Sequence, residues 1–298
     1  MRAVNPLYRL HDLAYRTQYA QIKERTYAVG TLLRGTPGTL YKRAGTGHEY
    51  WYRVYYPVPG KQGEEFVGSA ADDAARRAME DRIAHAEWVV EQVRNLRKLG
   101  YQVADKGVAS VLVELHNRTL FDSGLVVVGT LAYMSWLNEY GAIAIAARPL
   151  KLPGKEGLRV NVLAPGPEIG GTIAIPELEW HAQTIPYYDY MLEDSQRAVV
   201  LAGGHCIPVS LPNAQRMVWH KLYSSTDAAR SPDKKAKDIL QAVTLAAILV
   251  EQEDLSLKKS FLAAPAPLQA AALSQRQRIQ SFLQPHPQTA AEFAALPE

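Results

Sequence analysis

A single cysteine in 298 residues, Cys206, rules out an internal disulfide, and one chain cannot assemble a four-thiolate zinc site from it. A reducing cytoplasm is the expected setting. Long apolar runs are missing too: none approaches the roughly 18 to 20 residues of a membrane span, and the opening MRAVNPLYRLHDLAY holds no uninterrupted apolar stretch of the kind a secretory leader carries. Neither membrane insertion nor secretion is expected. Charge of one sign is also scarce, since 33 Lys and Arg against 30 Asp and Glu leave only +3, too little for the whole chain to imply nucleic acid or membrane. Any basic surface is local. The eight histidines show no H-x-x-x-H or H-E-x-x-H spacing, so no zinc site of that kind is built.

What is present reads as a folded chain of one large or two modest domains, because 47% apolar and 21% charged residues sit near the globular average. Leu7, Leu10, Leu13, Ala14 and Ile22 recur at a near-helical period and predict an amphipathic helix over 7–26. Four β-branched or aromatic runs follow, VGTLLRG, GTLYKRA, HEYWYRVYY and EEFVGS, divided by turn-forming Thr-Pro-Gly, Gly-Thr-Gly and Pro-Gly-Lys-Gln-Gly. They predict an antiparallel meander. Between Ala70 and Leu99 the chain is free of Gly and Pro, with Asp72 and Asp73 at the start, Lys98 near the end and Gly100 as a stop, so a long helix is expected. A shorter one is expected over 106–118.

Further on, Gly124–Val128 reads as a buried strand that breaks at Gly129-Thr130 and runs into a helical LAYMSWLNEY. Later strands are expected over 142–147, 158–163, 171–175, 198–201 and 207–210. NAQRMVWHKLYSS and KKAKDILQAVTLAAILVEQ predict two helices joined by an exposed STDAARSPD linker, and a last helix spans about 267–283 before a frayed tail. The domain division that follows is 1–75 for the first helix and meander, 76–225 for a core, and 226–298 for a C-terminal helical region.

Chemistry concentrates at the Gly129-Thr130 junction. A strand ending there and passing straight into a helix brings a hydroxyl and the first free backbone N–H groups together at a positive helix end, a seat for phosphate. The bland alternative is a small residue pair that merely ends a strand. Lys221, after Trp219-His220, reads from the residues alone as a solvated cation on a helix face. Lys234, Lys235 and Lys237 crowd a helix start, the end the macrodipole disfavours for cations, which points to an anionic partner or to simple solvation. Asp238 there reads as a capping acid. His220 reads as a packing histidine and Cys206, after His205, as a small apolar residue rather than a nucleophile. The meander interleaves Tyr41, Tyr50, Trp51, Tyr52, Tyr55 and Tyr56 with Lys42, Arg43 and Arg53, a pattern on which single-stranded nucleic acid stacks, although strand alternation turns half of these rings inward.

LFDSGLVVVGTLAYMSW, LRVNVLAP, IPVSLPNAQRMVWHKLYSSTD and KKAKDILQAVTLAAIL, occurring in that order, resemble a bacterial family of nucleotidyltransferase-fold proteins, distant relatives of polymerase-beta-type transferases and of abortive-infection nucleotidyltransferase toxins. The resemblance spans roughly residues 80–255, and the meander looks like that family's front end. It implies an α+β fold with a nucleotidyltransferase-like mixed sheet, an N-terminal antiparallel meander and a C-terminal helical region. It also implies a nucleotide held at Gly129 and Thr130, with Lys221 and Lys237 near its phosphates. The implied reaction moves a nucleotidyl group from an NTP to an RNA or protein hydroxyl, using Mg²⁺ held by an Asp-x-Asp pair and a third acid.

The sequence departs from that pattern. No aspartate lies between Asp122 and Asp189; the segment from Tyr140 to Arg148 is free of acids, and Asn161 stands where the third acid is expected. The spacing from Thr130 to Asn161 is also short for the family, as an internal deletion would make it. Glu139, Glu156 and Asp189 are the acids to test first. Three readings stay open: an impaired transferase, a non-catalytic nucleotide- or RNA-binding module, and a protein-interaction module.

Overall fold

The computed structural model describes residues 5–45, 47–58, 60–145, 160–176 and 180–297. In chain order the first elements are β1 (Tyr8–Leu10), α1 (Leu13–Tyr27), β2 (Thr39–Ala44), β3 (Glu49–Val58), β4 (Lys61–Ser69), α2 (Asp73–Lys98), α3 (Lys106–Asn117), α4 (Gly129–Glu139) and β5 (Ala142–Ala144). There follow β6 (Leu163–Pro165), β7 (Thr172–Ile175), β8 (Trp180–Ile185), α5 (Tyr188–Leu192), β9 (Gln196–Ala202), β10 (His205–Leu211), α6 (Ala214–Ser224), α7 (Pro232–Glu251), α8 (Lys258–Leu262), α9 (Ala266–Ser274), α10 (Arg276–Phe282) and α11 (Pro287–Ala294). This is the expected α+β architecture, with the meander near the N-terminus and helices toward the C-terminus. No described helix is long and apolar enough to cross a membrane. Two compact units divide the chain: Met1–His11, Val126–Arg197 and Ser210–Glu298 form one, Asp12–Leu125 and Ala198–Val209 the other.

In the unit containing Asp12–Leu125, α2 and α3 begin on aspartates whose side chains cap them. Asp72 accepts a hydrogen bond from the Ala75 amide at 2.9 Å and Asp105 from that of Val108 at 2.9 Å, which satisfies N–H groups that a helix start leaves free. Val89, Val93 and Leu96 lie on one face of α2 and pack with Tyr19 and Ile22 of α1 and with Val199, Leu201 and Cys206. Burial of each such aliphatic contributes about 1.5–3 kcal/mol. Cys206 is thus a core residue, as its neighbours in sequence suggest.

The meander β2-β3-β4 pairs Tyr41 with Tyr52 and Tyr52 with Phe66, so Tyr41, Tyr50, Tyr52 and Phe66 share one face. The other face is anchored by Arg53, fully buried, whose guanidinium donates to Glu65 (2.9 Å) and to the carbonyls of Thr36 (3.0 Å), Pro37 (3.0 Å) and Arg34 (3.1 Å). The residue at the centre of that face is a cation rather than a ring. VGTLLRG, expected as a strand, is a loop: the Asn117 side chain accepts from the Leu32 amide at 2.8 Å and donates to the Leu32 carbonyl at 2.9 Å, taking the place of a neighbouring strand.

In the other unit, α7 is buried almost all round, from Ile239 to Leu249, so it is the central helix against which α4, α6, α10 and α11 pack. The expected helix over 7–26 begins instead as β1, because Tyr8 pairs with Ala144 and the His11 amide donates to Gly141 at 2.8 Å. Gly124–Val128 is not a strand; the Val127 amide donates to Ser210 at 2.8 Å, and Val128 already serves as the N-cap of α4. The expected 267–283 helix breaks at Gln275, whose side chain donates to Leu222 (3.0 Å) and accepts from Ser225 (2.9 Å). The tail is not frayed, since α11 buries Phe293 against the Trp219 ring, centroids 5.7 Å apart. The mixed sheet is small: β8 pairs in parallel with β6 and antiparallel with β7. The expected 142–147 strand is described only as β5, and of the expected 158–163 strand residues 158 and 159 lie outside the described residues; β6 starts at Leu163.

Two ends of this unit's sequence are joined by a buried polar clasp. His286 accepts from the Leu7 amide through Nε2 at 2.9 Å, which leaves the proton on Nδ1 to donate to Glu251 at 2.9 Å. Glu251 also accepts from Tyr8 (3.2 Å) and Thr289 (3.1 Å), and Tyr8 stacks on the His286 ring. Every member has a partner, so the clasp is structural.

Candidate phosphate-binding cleft

Gly129 adopts φ +72°, a left-handed backbone that a side chain resists, and it turns the chain abruptly into α4. No side chain caps this helix, so its first-turn amides stay available at the positive end of the macrodipole. Gly129 and Thr130 form part of the wall of a cleft of about 150 Å³ that Lys221, Lys237, Arg230, Tyr188, His220, Asp227 and Asp238 also line. All four residues expected to hold a nucleotide, Gly129, Thr130, Lys221 and Lys237, therefore meet in one place.

Lys237 donates to the Thr130 hydroxyl across a long 3.4 Å, its one hydrogen bond among the described residues. It is half-buried, and that burial pulls its ammonium below the usual lysine range. Lys221 is buried and donates to Gln241 at 2.6 Å, with Asp238 at 3.6 Å; burial brings it down to about 8, against the pull of Asp238. Arg230 approaches the other Asp238 oxygen at 2.6 Å, an ion pair rather than a well-aligned hydrogen bond. Asp238 is thus neither a cap nor a free acid but the counter-ion that holds two cations. The helix begins earlier, on Ser231 and Pro232.

His220 lines the same cleft in its neutral form. Its Nε2 faces the Pro186 carbonyl at 3.0 Å and must donate, while burial drives the imidazole down to about 4. Tyr188 is 7% exposed and packs edge-on to His220, its hydroxyl without a hydrogen-bond partner among the described residues. Burial pushes that phenol up to about 12, with the positive charge of Arg230 opposing, so it remains a proton donor. Three cations face two carboxylates, and the cleft carries one net positive charge at neutral pH.

Asn161 is exposed just before β6 and does not line the cleft. Asp189 is exposed on α5, Glu139 is half-buried on α4, and neither reaches the lining; Glu156 lies outside the described residues. Mg²⁺ prefers several oxygen ligands in octahedral array. Here Asp238 is engaged by cations and Asp227 accepts from the Ala229 amide at 3.0 Å. Among the described residues no three His, Cys, Asp or Glu side chains converge to hold a metal. The donor set does not fit the ion.

Lys234, exposed, and Lys235, half-buried, are not among the residues that line the cleft. On the meander, Arg43 sits 5.6 Å from the Tyr41 ring and 5.0 Å from that of Tyr52, but Glu64 pairs with it at 2.8 Å, so this aromatic face gains little positive charge for tracking a nucleic-acid backbone. Sequence reasoning missed Arg230 and Tyr188. Arg230 sits in a polar linker whose composition says only loop, and the Lys221–Asp238 pairing that recruits it exists once α6 and α7 lie side by side.

Residues 143–265 match a family model described as Nucleotidyltransferase, which supports a nucleotidyltransferase-family assignment. The cleft residues from Ile169 to Asp238 fall within that match; Gly129 and Thr130 precede it. No curated protein and no solved structure matches the chain.

Proposed function

We propose that this cleft binds the phosphate tail of a nucleoside triphosphate, and that the protein is a nucleotide-binding member of the nucleotidyltransferase group in which transfer is impaired. The observation that carries the reading is the meeting of Lys237 Nζ with Thr130 Oγ1 at the uncapped start of α4, inside a cleft that also presents Lys221 and Arg230. Amides at a helix start and a hydroxyl beside an ammonium are the donors a phosphate group accepts from. A cavity of about 150 Å³ is below the roughly 300–1,000 Å³ of whole-ligand pockets, which favours a seat for phosphates with base and ribose outside.

Each residue has a distinct part. Lys237 contributes charge and unused N–H donors, and Thr130 relays its hydroxyl toward a phosphate oxygen. Asp238 fixes Lys221 and Arg230 in place, so little side-chain freedom is lost when an anion arrives. Tyr188 offers a further O–H. Impairment of transfer rests on the acids: the segment after α4 lacks aspartate, and Asn161 and Asp189 stand apart from the cleft lining.

Calorimetric titration of the protein with each NTP tests the binding. Micromolar or tighter affinity that falls about tenfold to a hundredfold in Lys237→Ala, the worth of one charge-assisted hydrogen bond, is expected. Affinity unchanged by that substitution, or absent throughout, contradicts the proposal. Incubation with labelled NTP and total RNA or protein tests impairment, and efficient label transfer would overturn that part.

A further inference from the structure

Among the described residues no group of acids that could hold Mg²⁺ gathers at the cleft, yet the cleft is cationic, and these two facts bear on one another. In two-metal transfer the cations that neutralise the triphosphate are bound ions held by carboxylates. Here the fixed positive groups are side chains: Lys237 beside Thr130, Arg230 and Lys221 clamped on Asp238. A divalent ion entering the cleft would meet three positive side chains and two carboxylates already engaged.

We infer that the cleft takes the polyphosphate of a nucleotide in its metal-free form, with Lys237, Arg230, Lys221 and the α4 amides supplying the neutralising charge that Mg²⁺ supplies in two-metal transferases. The inference rests on the nucleotide reading above and goes beyond it by naming the ionic form of the ligand. Two further features point the same way. Tyr188, 7% exposed, lines the cleft in the field of Arg230 and Asp238, so its O–H belongs to the wall that an oxygen-rich anion would meet. Arg230 Nε is buried with no hydrogen-bond partner among the described residues, so the guanidinium is not saturated by Asp238.

Free triphosphate carries two more negative charges than its complex with one divalent ion, so a cleft of fixed cations favours the free form. The test is titration of the full chain with ATP in excess Mg²⁺ and again in chelator, at one ionic strength, with inorganic triphosphate as a competitor. Affinity in chelator about threefold or more tighter than in Mg²⁺, with triphosphate displacing ATP, supports the inference. Equal or weaker affinity on removing Mg²⁺ overturns it and leaves nucleotide binding standing. Absence of binding in both conditions overturns the nucleotide reading itself. Failure of triphosphate to compete overturns the phosphate tail as the recognised part. Lys237→Gln, at a half-buried position, with folding checked by far-UV circular dichroism, should weaken ATP more in chelator than in Mg²⁺; an equal effect in both counts against the inference.

Discussion

Replacing Asp238 by asparagine separates a carboxylate that holds cations from one that holds a metal. Asp238 is 2% exposed, 3.6 Å from Lys221 Nζ and 2.6 Å from Arg230 Nη2, so Asp238→Asn leaves a buried ammonium without its counter-charge. Removing one partner of a buried ion pair costs about 3–5 kcal/mol, and Arg230, one-third exposed, can turn to water, which puts the expected loss near the lower end, about 3 kcal/mol. The same change raises the net charge of the cleft from one to two. A unit charge roughly 6 Å from a bound phosphate, at an effective dielectric of about 20, is worth about 3 kcal/mol before screening and about 1 after it, so polyphosphate should bind about tenfold tighter. Urea denaturation with and without ATP reads both effects: a lower midpoint for the unliganded variant and a larger ATP-induced rise than in the parent. Loss of ATP binding in a variant that is still folded would refute the reasoning, because the carboxylate would then act by more than opposing the ligand's charge.

Other expectations follow from the same geometry. Gly129→Ala places a side chain at φ +72°; stability should fall by about 1–2 kcal/mol and nucleotide affinity should weaken as the α4 start moves, whereas parental melting and affinity would contradict the role given to that turn. His220 is held neutral, its imidazole at about 4 against an unfolded value near 6.5, so the unfolded chain binds more protons between these pH values. The stability that neutrality confers is present above about 6.5 and lost as pH falls to about 4, about 3 kcal/mol in all, and His220→Gln should flatten that part of a denaturation-versus-pH curve; an identical slope in the variant would contradict this. His286→Ala breaks the Leu7–His286–Glu251 clasp and should cost about 3 kcal/mol in urea unfolding, while a change under about 0.5 kcal/mol would show the clasp to be incidental. Lys221, at about 8 folded against 10.5 unfolded, should make the protein more stable as pH rises between those values, at the same time as polyphosphate affinity falls; parallel rises in both would contradict the assignment.

Much of the fold was legible because local signals were strong. Asp72 announces its helix, and Thr-Pro-Gly and Gly-Thr-Gly punctuate the meander. Errors arose where tertiary partners override pattern. Leu7 and Leu10 sit at helical spacing, yet the backbone there pairs with β5, and Gly124–Val128 has the composition of a strand but leads as a loop into the uncapped start of α4. Gln275 looks helical and breaks the helix because its side chain reaches Leu222 and Ser225, a contact that spacing does not encode. At the cleft, Gly129 and Thr130 could be nominated from residue type and position and Lys237 from the lysine cluster at a helix start, while Lys221 entered through the family resemblance. Arg230 and Tyr188 could not, since one sits in a linker and the other in a five-residue helix, and both are recruited only by the packing of α5, α6 and α7.

The most direct measurement is a structure of the full chain with a non-hydrolysable nucleoside triphosphate. Phosphate oxygens within hydrogen-bond distance of Lys237 Nζ, Thr130 Oγ1 and the first amides of α4, with no metal between them, is the predicted result. A nucleotide seated elsewhere, or this cleft filled by protein side chains in the complex, would contradict the account.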